Sequence, residues 1–248
     1  MKHYPLKPIH EKKNDNMRYD ITDIIEDYPD IHIGVITCRG LNNKTTHNQL
    51  SNLQKQALDT ARNQIGDQPP TKHPHISSWR QLYKSFGTKP GDYRPSAENL
   101  IRRALKTGEL YNINTAVDLY NVVSVKHIIP MGGFDLDQIN GTIKLRKSSG
   151  GEGFNPLGSK GPEETYDGEI VYADDSRILT RRWNYRDAVE TRITEDTVNL
   201  VMFFDASPMI GVDVVEAAME DYMALLGESC GGEMSKAIAS KKTPVIDL

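Results

Sequence analysis

Ile113-Asn114-Thr115-Ala116-Val117-Asp118-Leu119-Tyr120-Asn121-Val122-Val123-Ser124-Val125 is followed, after a four-residue connector, by Pro130-Met131-Gly132-Gly133-Phe134-Asp135-Leu136-Asp137. In the first run Val117, Tyr120 and Ser124 are spaced to share one helical face, which predicts a helix over 113–125. A short strand is expected at about 127–131, with the glycine pair just behind it. Adjacent glycines after a strand let a backbone approach a ligand closely, or simply make a turn. The chain changes character at this junction. Before it, apolar residues recur every three or four positions; after it, short β-branched runs alternate with glycine-rich turns.

Upstream, Asp30–Cys38 reads as a partly buried strand. Residues 44–65 carry Leu50, Leu53, Ala57, Leu58, Ala61 and Ile65, an amphipathic helix ended near Gly66. Trp79, Leu82, Tyr83 and Phe86 form a helical stripe over Ser77–Phe86. Pro95 suits a helix start, Leu100, Ile101, Ala104 and Leu105 supply that helix's buried face, and Gly108 supplies its stop. Downstream, strands are expected at about 142–146, 169–173, 177–181 and 198–206, and a last helix from about Asp213 to Leu226. Helices, then many short strands, then one helix indicate α+β rather than a regular βαβ repeat. Residues 1–28 read as an arm of weak order, 29–235 as a single domain, and the chain after Lys236 as a loosely held tail.

Composition narrows the classes. The chain has 248 residues, is 38% apolar and 26% charged, and carries a formal charge of −4, as ordinary globular proteins do. Its apolar runs are too short to span a bilayer, and the basic N-terminus has no apolar stretch behind it to act as a secretory signal. Cys38 and Cys230 allow one bridge at most, which points to a reducing, cytoplasmic setting and away from a cysteine zinc site. Slight acidity disfavours sequence-blind nucleic-acid binding, so an RNA partner would need a local basic face.

Two such faces exist. Between Arg80 and Lys106 seven basic residues, Arg102 and Arg103 among them, oppose Asp92 and Glu98, a local excess of +5. This is either a solvated helix face or a phosphate-contacting surface. Arg181-Arg182-Trp183-Asn184-Tyr185-Arg186 interleaves guanidiniums with aromatics directly after a strand. Such a block suits phosphate pairing and base stacking. Alternatively, Trp183 plugs the core and the arginines pair with Asp174, Asp175 or Asp187. The seven histidines show no metal-triad spacing, and there is no phosphate-binding glycine loop or dinucleotide fingerprint. No metal and no cofactor are expected. Gly227-Glu228-Ser229-Cys230-Gly231 lacks the preceding strand of a nucleophile elbow.

Ile113–Asn121 resembles the I-N-N-V-V-D-I-T-N run of the phenylalanyl-tRNA synthetase β chain, in that chain's B3/B4 editing domain. Pro130–Asp137 is similar to the family's P-M-H-A-F-D-L-D. Gly141–Arg146, Val171–Asp174 and Ile193–Asn199 resemble its G-x-I-x-x-R, V-I-A-D and V-T-E-E-T-x-N blocks, in the same order. The match covers residues 95–208. It is closer still to stand-alone relatives that read L-Y-N-x-V-S, P-x-G-G-x-D-L-D and R-R-W-N-[WY]-R. The resemblance implies a three-layer β/β/α B3/B4-like domain with a helical N-terminal extension. It also implies a pocket for the aminoacylated 3′ end of tRNA and its amino-acid moiety. The synthetase motif has a His where this chain has Gly132 and a Glu where it has Phe203; Asp205 is the nearest acid and is out of register.

The function expected is a freestanding aminoacyl-tRNA deacylase, with a non-catalytic binding protein or a hydrolase of another small substrate as alternatives. Backbone N–H groups of Gly132 and Gly133 would stabilise an oxyanion, and Asn121 and Ser124 would hold the aminoacyl group or a water. Arg146, Arg182, Trp183, Asn184, Tyr185, Arg186, Arg102 and Arg103 would contact tRNA or substrate. Asp118 and Asp135 read as capping or turn residues. No membrane partner is expected, and the oligomeric state is left open.

Overall fold

The computed structural model describes residues 17–158 and 161–248. The chain runs β1 (Arg18–Asp20), α1 (Thr22–Ile25), β2 (His32–Arg39), α2 (Leu50–Ile65), α3 (Pro74–Ser85), α4 (Ser96–Thr107), α5 (Thr115–His127), β3 (Met131–Asp135) and β4 (Ile143–Ser149). It continues through β5 (Gly153–Phe154), β6 (Glu163–Glu164), β7 (Asp167–Ala173), β8 (Ile178–Arg181), β9 (Arg186–Asp187), β10 (Asn199–Ala206), α6 (Val212–Cys230), β11 (Glu233–Ala239) and β12 (Val245–Asp247).

Two sheets lie face to face. One is ordered β12-β1-β4-β7-β8-β9 and the other β11-β2-β10-β3; β5 and β6 form a small third ribbon. The period of two along β10 sorts its side chains. Phe203 turns toward the six-stranded sheet and meets the rings of Tyr19 and Tyr172, with Phe134 of β3 beside them. Phe204 turns the other way and meets Tyr222 of α6. Helix α6 packs on β2 and β10, α5 packs on α6, and α2 and α4 pack on α5. The architecture is therefore β/β/α, and β10 is apolar from Leu200 to Phe204 because both its faces are covered. Gly34 in β2 makes the helix layer fit, since a Cβ there would lie 2.7 Å from Val215 and 2.6 Å from Met219.

The helical stripes pack as their spacing indicates. Ala57, Leu58, Ala61 and Ile65 of α2 meet Leu100, Ile101 and Ala104 of α4 and Val122 and Val125 of α5. Trp79 and Tyr83 of α3 instead enter the main core between the sheets. Gly66 and Gly108 cap α2 and α4 with positive φ.

Several boundaries differ from expectation. Residues 17–28 are not a loose arm: Tyr19, Ile21 and Ile24 are fully buried, and β1 bridges β12 and β4. Residues 1–16 of that expected arm lie outside the described residues. The tail after Lys236 is also held, because β11 pairs along the length of β2 and β12 pairs with β1. Local composition hides both, since β1, β11 and β12 are fixed by pairing between opposite ends of the chain. The expected strand at 127–131 starts late. Helix α5 runs to His127 and ends on Ile128 in the left-handed region (φ 53°), tied by the Ser124 hydroxyl to the Ile129 carbonyl. Helix α2 begins at Leu50 rather than 44, and α6 continues through Gly227 to Cys230, capped by Gly231.

Candidate functional site

Tyr172, Thr180 and Asp187 are successive cross-strand neighbours on β7, β8 and β9. Facing them, Gly132 of β3 pairs with Phe203 of β10, and Asp205 lies two residues further along the same face. The gap between the rows is a cavity of about 60 Å³, walled by Phe134, Trp183 and Asn184 as well. A wider hollow of about 580 Å³ adjoins it, lined by Tyr120, Gly133, Asp187, Ile193 and Thr194 among others. A third of about 230 Å³ holds Ser96, Tyr111, Tyr120, Asn121 and Ser124. Asp187 borders all three, and Gly133 borders the first two. The Ser96 hydroxyl, at the first residue of α4 and on the rim, has no hydrogen-bond partner.

Asp205 is 3% exposed. Tyr172 donates its hydroxyl to Oδ1 (2.6 Å) and Asn184 donates its amide to Oδ2 (3.1 Å). Tyr19 donates to Tyr172 and Tyr83 donates to the Asn184 carbonyl, so five side chains form one buried network. Burial raises the Asp205 carboxyl to about 7, offset by its two donors Tyr172 and Asn184 and by the nearby Trp183 indole, whose Nε1 has no hydrogen-bond partner, while Asp187 adds to the rise. Asp187 is half-buried and accepts the Thr180 hydroxyl (2.6 Å); burial raises it to about 6 against that one bond. Neither carboxylate forms an ion pair among the described residues, and no cation figures among the groups that shift them. Carboxyls that burial raises toward neutrality beside a cleft make this a candidate site.

Residues 78–231 match the B3/4 domain family. The chain belongs to that family. No curated protein matches it. Among solved structures, the N-terminal fragment of the phenylalanyl-tRNA synthetase β-subunit from Pyrococcus horikoshii is similar, at 16% identity with a TM-score of 0.43. The similarity covers 96% of this chain and 57% of that one, so this chain spans a little over half that fragment's length.

In this B3/4 domain the glycine pair divides its roles. Strand β3 is the edge of its sheet. Pro130 accepts from Asp205 on the β10 side, whereas Asp135 donates outward to Thr191. Alternation along an antiparallel strand then turns Gly132 toward β10 and Gly133 toward the outer edge. Only Gly133 has an N–H directed away from the ladder, so the expected two-donor arrangement reduces to one donor. A Cβ on Gly132 would meet nothing within 4 Å, whereas one on Gly133 would strike Met202 and come within 2.5 Å of the Val201 carbonyl.

The other expected residues separate into holders and liners. Trp183 is fully buried and packs edge-on against Trp79 (5.3 Å) and Tyr28 (5.6 Å). Arg181 pairs with Glu169 and Glu163, both at 2.7 Å, rather than with any of the three aspartates considered above. Arg182 and Trp183 sit at φ 49° and 66°, a left-handed pair that costs bulky residues of order 1–3 kcal/mol each. Backbone bonds from Trp183 to Ile170 and from Arg182 to Glu169 hold them there. The Arg182 guanidinium lies 3.7 Å from the centre of the Tyr93 ring, with Nε and Nη1 unpartnered. Asn184, Tyr185 and Arg186 line the inter-sheet cavity. Asn121 and Ser124 line the third hollow instead, and Ser124 spends its hydroxyl proton on Ile129. Arg146 is held bidentately by Glu152 at 2.6 and 2.9 Å, away from the cavity. Arg102 binds Glu98 at 2.8 Å, and Arg103 stacks 4.1 Å over Tyr111. Asp118 accepts the Ile113 N–H, and Asp135 accepts from Asp137 and Thr197, as capping and turn residues do.

Sequence reasoning missed Asp187, Asp205, Tyr172 and Thr180 as site residues. In sequence Asp187 reads as an arginine partner, and Asp205 lies out of register with the synthetase Glu. The available signal was its position: an acid near the end of an otherwise apolar central strand is costly unless it has work to do. Among the described residues no group of three or more His, Cys, Asp or Glu is arranged to hold a metal, and no helix is long and apolar enough to cross a membrane.

Proposed function

We propose that this B3/4 domain is a freestanding hydrolase of aminoacyl esters, acting in trans on the 3′ end of aminoacyl-tRNA in the cytoplasm. One observation carries the reading: Asp187 and Gly133 both border the inter-sheet cavity and the wide hollow beside it. An acyl group lying across that border meets a base on one side and a backbone donor on the other. Asp187, with its carboxyl at about 6, is largely ionised at neutral pH yet still basic enough to take a proton. It removes one from a water as that oxygen bonds to the ester carbon, and the carbonyl oxygen becomes an oxyanion facing the Gly133 N–H. Collapse breaks the bond to the ribose oxygen, which takes the proton back from Asp187. Thr180 fixes the base from behind. Tyr185 and Arg186 at the rim, Arg182 on Tyr93, and Arg103 beneath exposed Tyr111 offer faces and charge to nucleotides outside.

A binding role without chemistry is the second reading, favoured by Gly132 and Phe203 where the resembling synthetase motif has His and Glu. A deacylation assay separates the two. Release of amino acid from at least one member of an aminoacyl-tRNA panel, abolished in Asp187→Asn, is expected. Tight binding of the same tRNAs with no release by folded protein would replace the first reading with the second.

A further inference from the structure

Asp205 is not needed for the chemistry proposed for Asp187, yet the fold keeps it buried at a cavity wall without a cation. Its two donors, Tyr172 and Asn184, are neutral and fixed in the network that reaches Tyr19 and Tyr83. Two neutral donors leave carboxylate lone pairs unused, and a buried acceptor with spare capacity is costly unless something fills it. The cavity that it lines is small. At about 60 Å³ it exceeds the room one water needs, yet it is far below the roughly 150 Å³ of a cavity that takes a benzene ring. Among its other walls, Phe134, Phe203 and Trp183 are aromatic and closely packed on one another and on the core, and Ser96, Tyr185 and Arg186 also border it. An aromatic side chain is excluded by size, and a short one fits.

We propose that the inter-sheet cavity receives the side chain of the substrate's amino acid, and that Asp205 selects a short side chain ending in an O–H or N–H donor. This rests on the ester-hydrolase reading, because the acyl carbon must sit between Asp187 and Gly133 for the side chain to enter here. Gly132 contributes by lacking a side chain, since any Cβ there points into free space beside the cavity. A site built to hydrogen-bond a substrate group rejects the analogue that lacks the group far more strongly than an apolar pocket rejects a missing methylene.

The test begins with the wild-type protein. Affinities are measured by calorimetry for non-hydrolysable 3′-amide adenosine analogues bearing seryl, threonyl, alanyl and tyrosyl groups, and deacylation rates for the four matching tRNA esters. Seryl or threonyl binding at least about tenfold tighter than alanyl, with tyrosyl weakest, is expected. Equal binding of seryl and alanyl, preference for tyrosyl, or no binding of any analogue would overturn the pocket assignment. Hydrolysis of all four esters at one rate would overturn it while leaving the hydrolase reading standing. Seryl preference in binding with no ester cleaved would do the reverse. In Asp205→Asn the seryl-to-alanyl ratio is expected to fall to near one; an unchanged ratio in folded variant would overturn the role of Asp205.

Discussion

Two kinds of buried carboxylate share this small molecule. Glu98 and Glu169 are both fully buried and both held by guanidiniums. Arg80 and Arg102 close on Glu98 at 2.9 and 2.8 Å with Arg94 at 4.0 Å, and Arg181 closes on Glu169 at 2.7 Å. Asp205 is as deeply buried and Asp187 is half-buried, yet each has only neutral donors. The first pair joins elements: Glu98 ties α3 to α4, and Glu169 ties β7 to β8 and to the turn that carries Trp183. The second pair faces a cavity and titrates near neutrality. Asp118 and Asp135 are also buried with neutral donors alone and serve as capping and turn residues, so what sets Asp205 and Asp187 apart is the cavity that they face.

Breaking a compensated site has the largest expected effect. Arg181→Met leaves Glu169 charged and unpaired and is expected to lower unfolding stability by about 3–5 kcal/mol in urea titration. Adding Glu169→Gln recovers part of that loss, because the orphaned charge is gone. Asp187→Asn sets the opposite pattern: deacylation falls by about 10²–10⁴-fold, the range for a lost general base, while the melting temperature stays at or above the parent's. In the parent, activity is expected to rise with pH through about 6 as Asp187 ionises.

Asp205 sharpens the comparison through pH. Folded, its carboxyl keeps its proton up to about pH 7; unfolded, it releases it near the ordinary aspartate value, about 3.9. The folded chain therefore binds more protons across that window. The stability this contributes is complete below the unfolded value and is lost as pH rises through 7. His73, lowered to about 4 by burial and by His75, contributes with the opposite slope as pH rises from 4 toward 6.5. Subtracting the Asp205→Asn curve from the parent curve isolates the aspartate, and the difference in stability is expected to decline from pH 4 to 7. A flat difference would contradict an uncompensated Asp205. The smallest effects separate the two glycines. Gly133→Ala forces a Cβ against the Val201 carbonyl and is expected to cost about 1–3 kcal/mol, whereas Gly132→Ala stays within about 0.5 kcal/mol.

Sequence determined a good deal here by itself. Repeats of three and four placed α2 to α5, glycines marked the ends of α2 and α4, alternation with β-branching located β2, and short runs between glycine-rich turns located β4, β7, β8 and β10. Ordered short motifs around the glycine pair indicated the B3/4 family and the α+β class. These are local properties, written in spacing that a helix or strand reads directly. The partners of charged groups were decided only in the folded chain. Arg146, Arg102 and Arg181 looked available and are each held by a glutamate, while Asp187 and Asp205 looked incidental and face the cavity. Which of two neighbouring glycines presents its N–H depended on the side from which β10 approached β3. That β1, β11 and β12 are strands at all depended on pairing across the whole length of the chain. Burial and charge pairing are sums over neighbours brought together by the tertiary fold, and no stretch of sequence contains those neighbours.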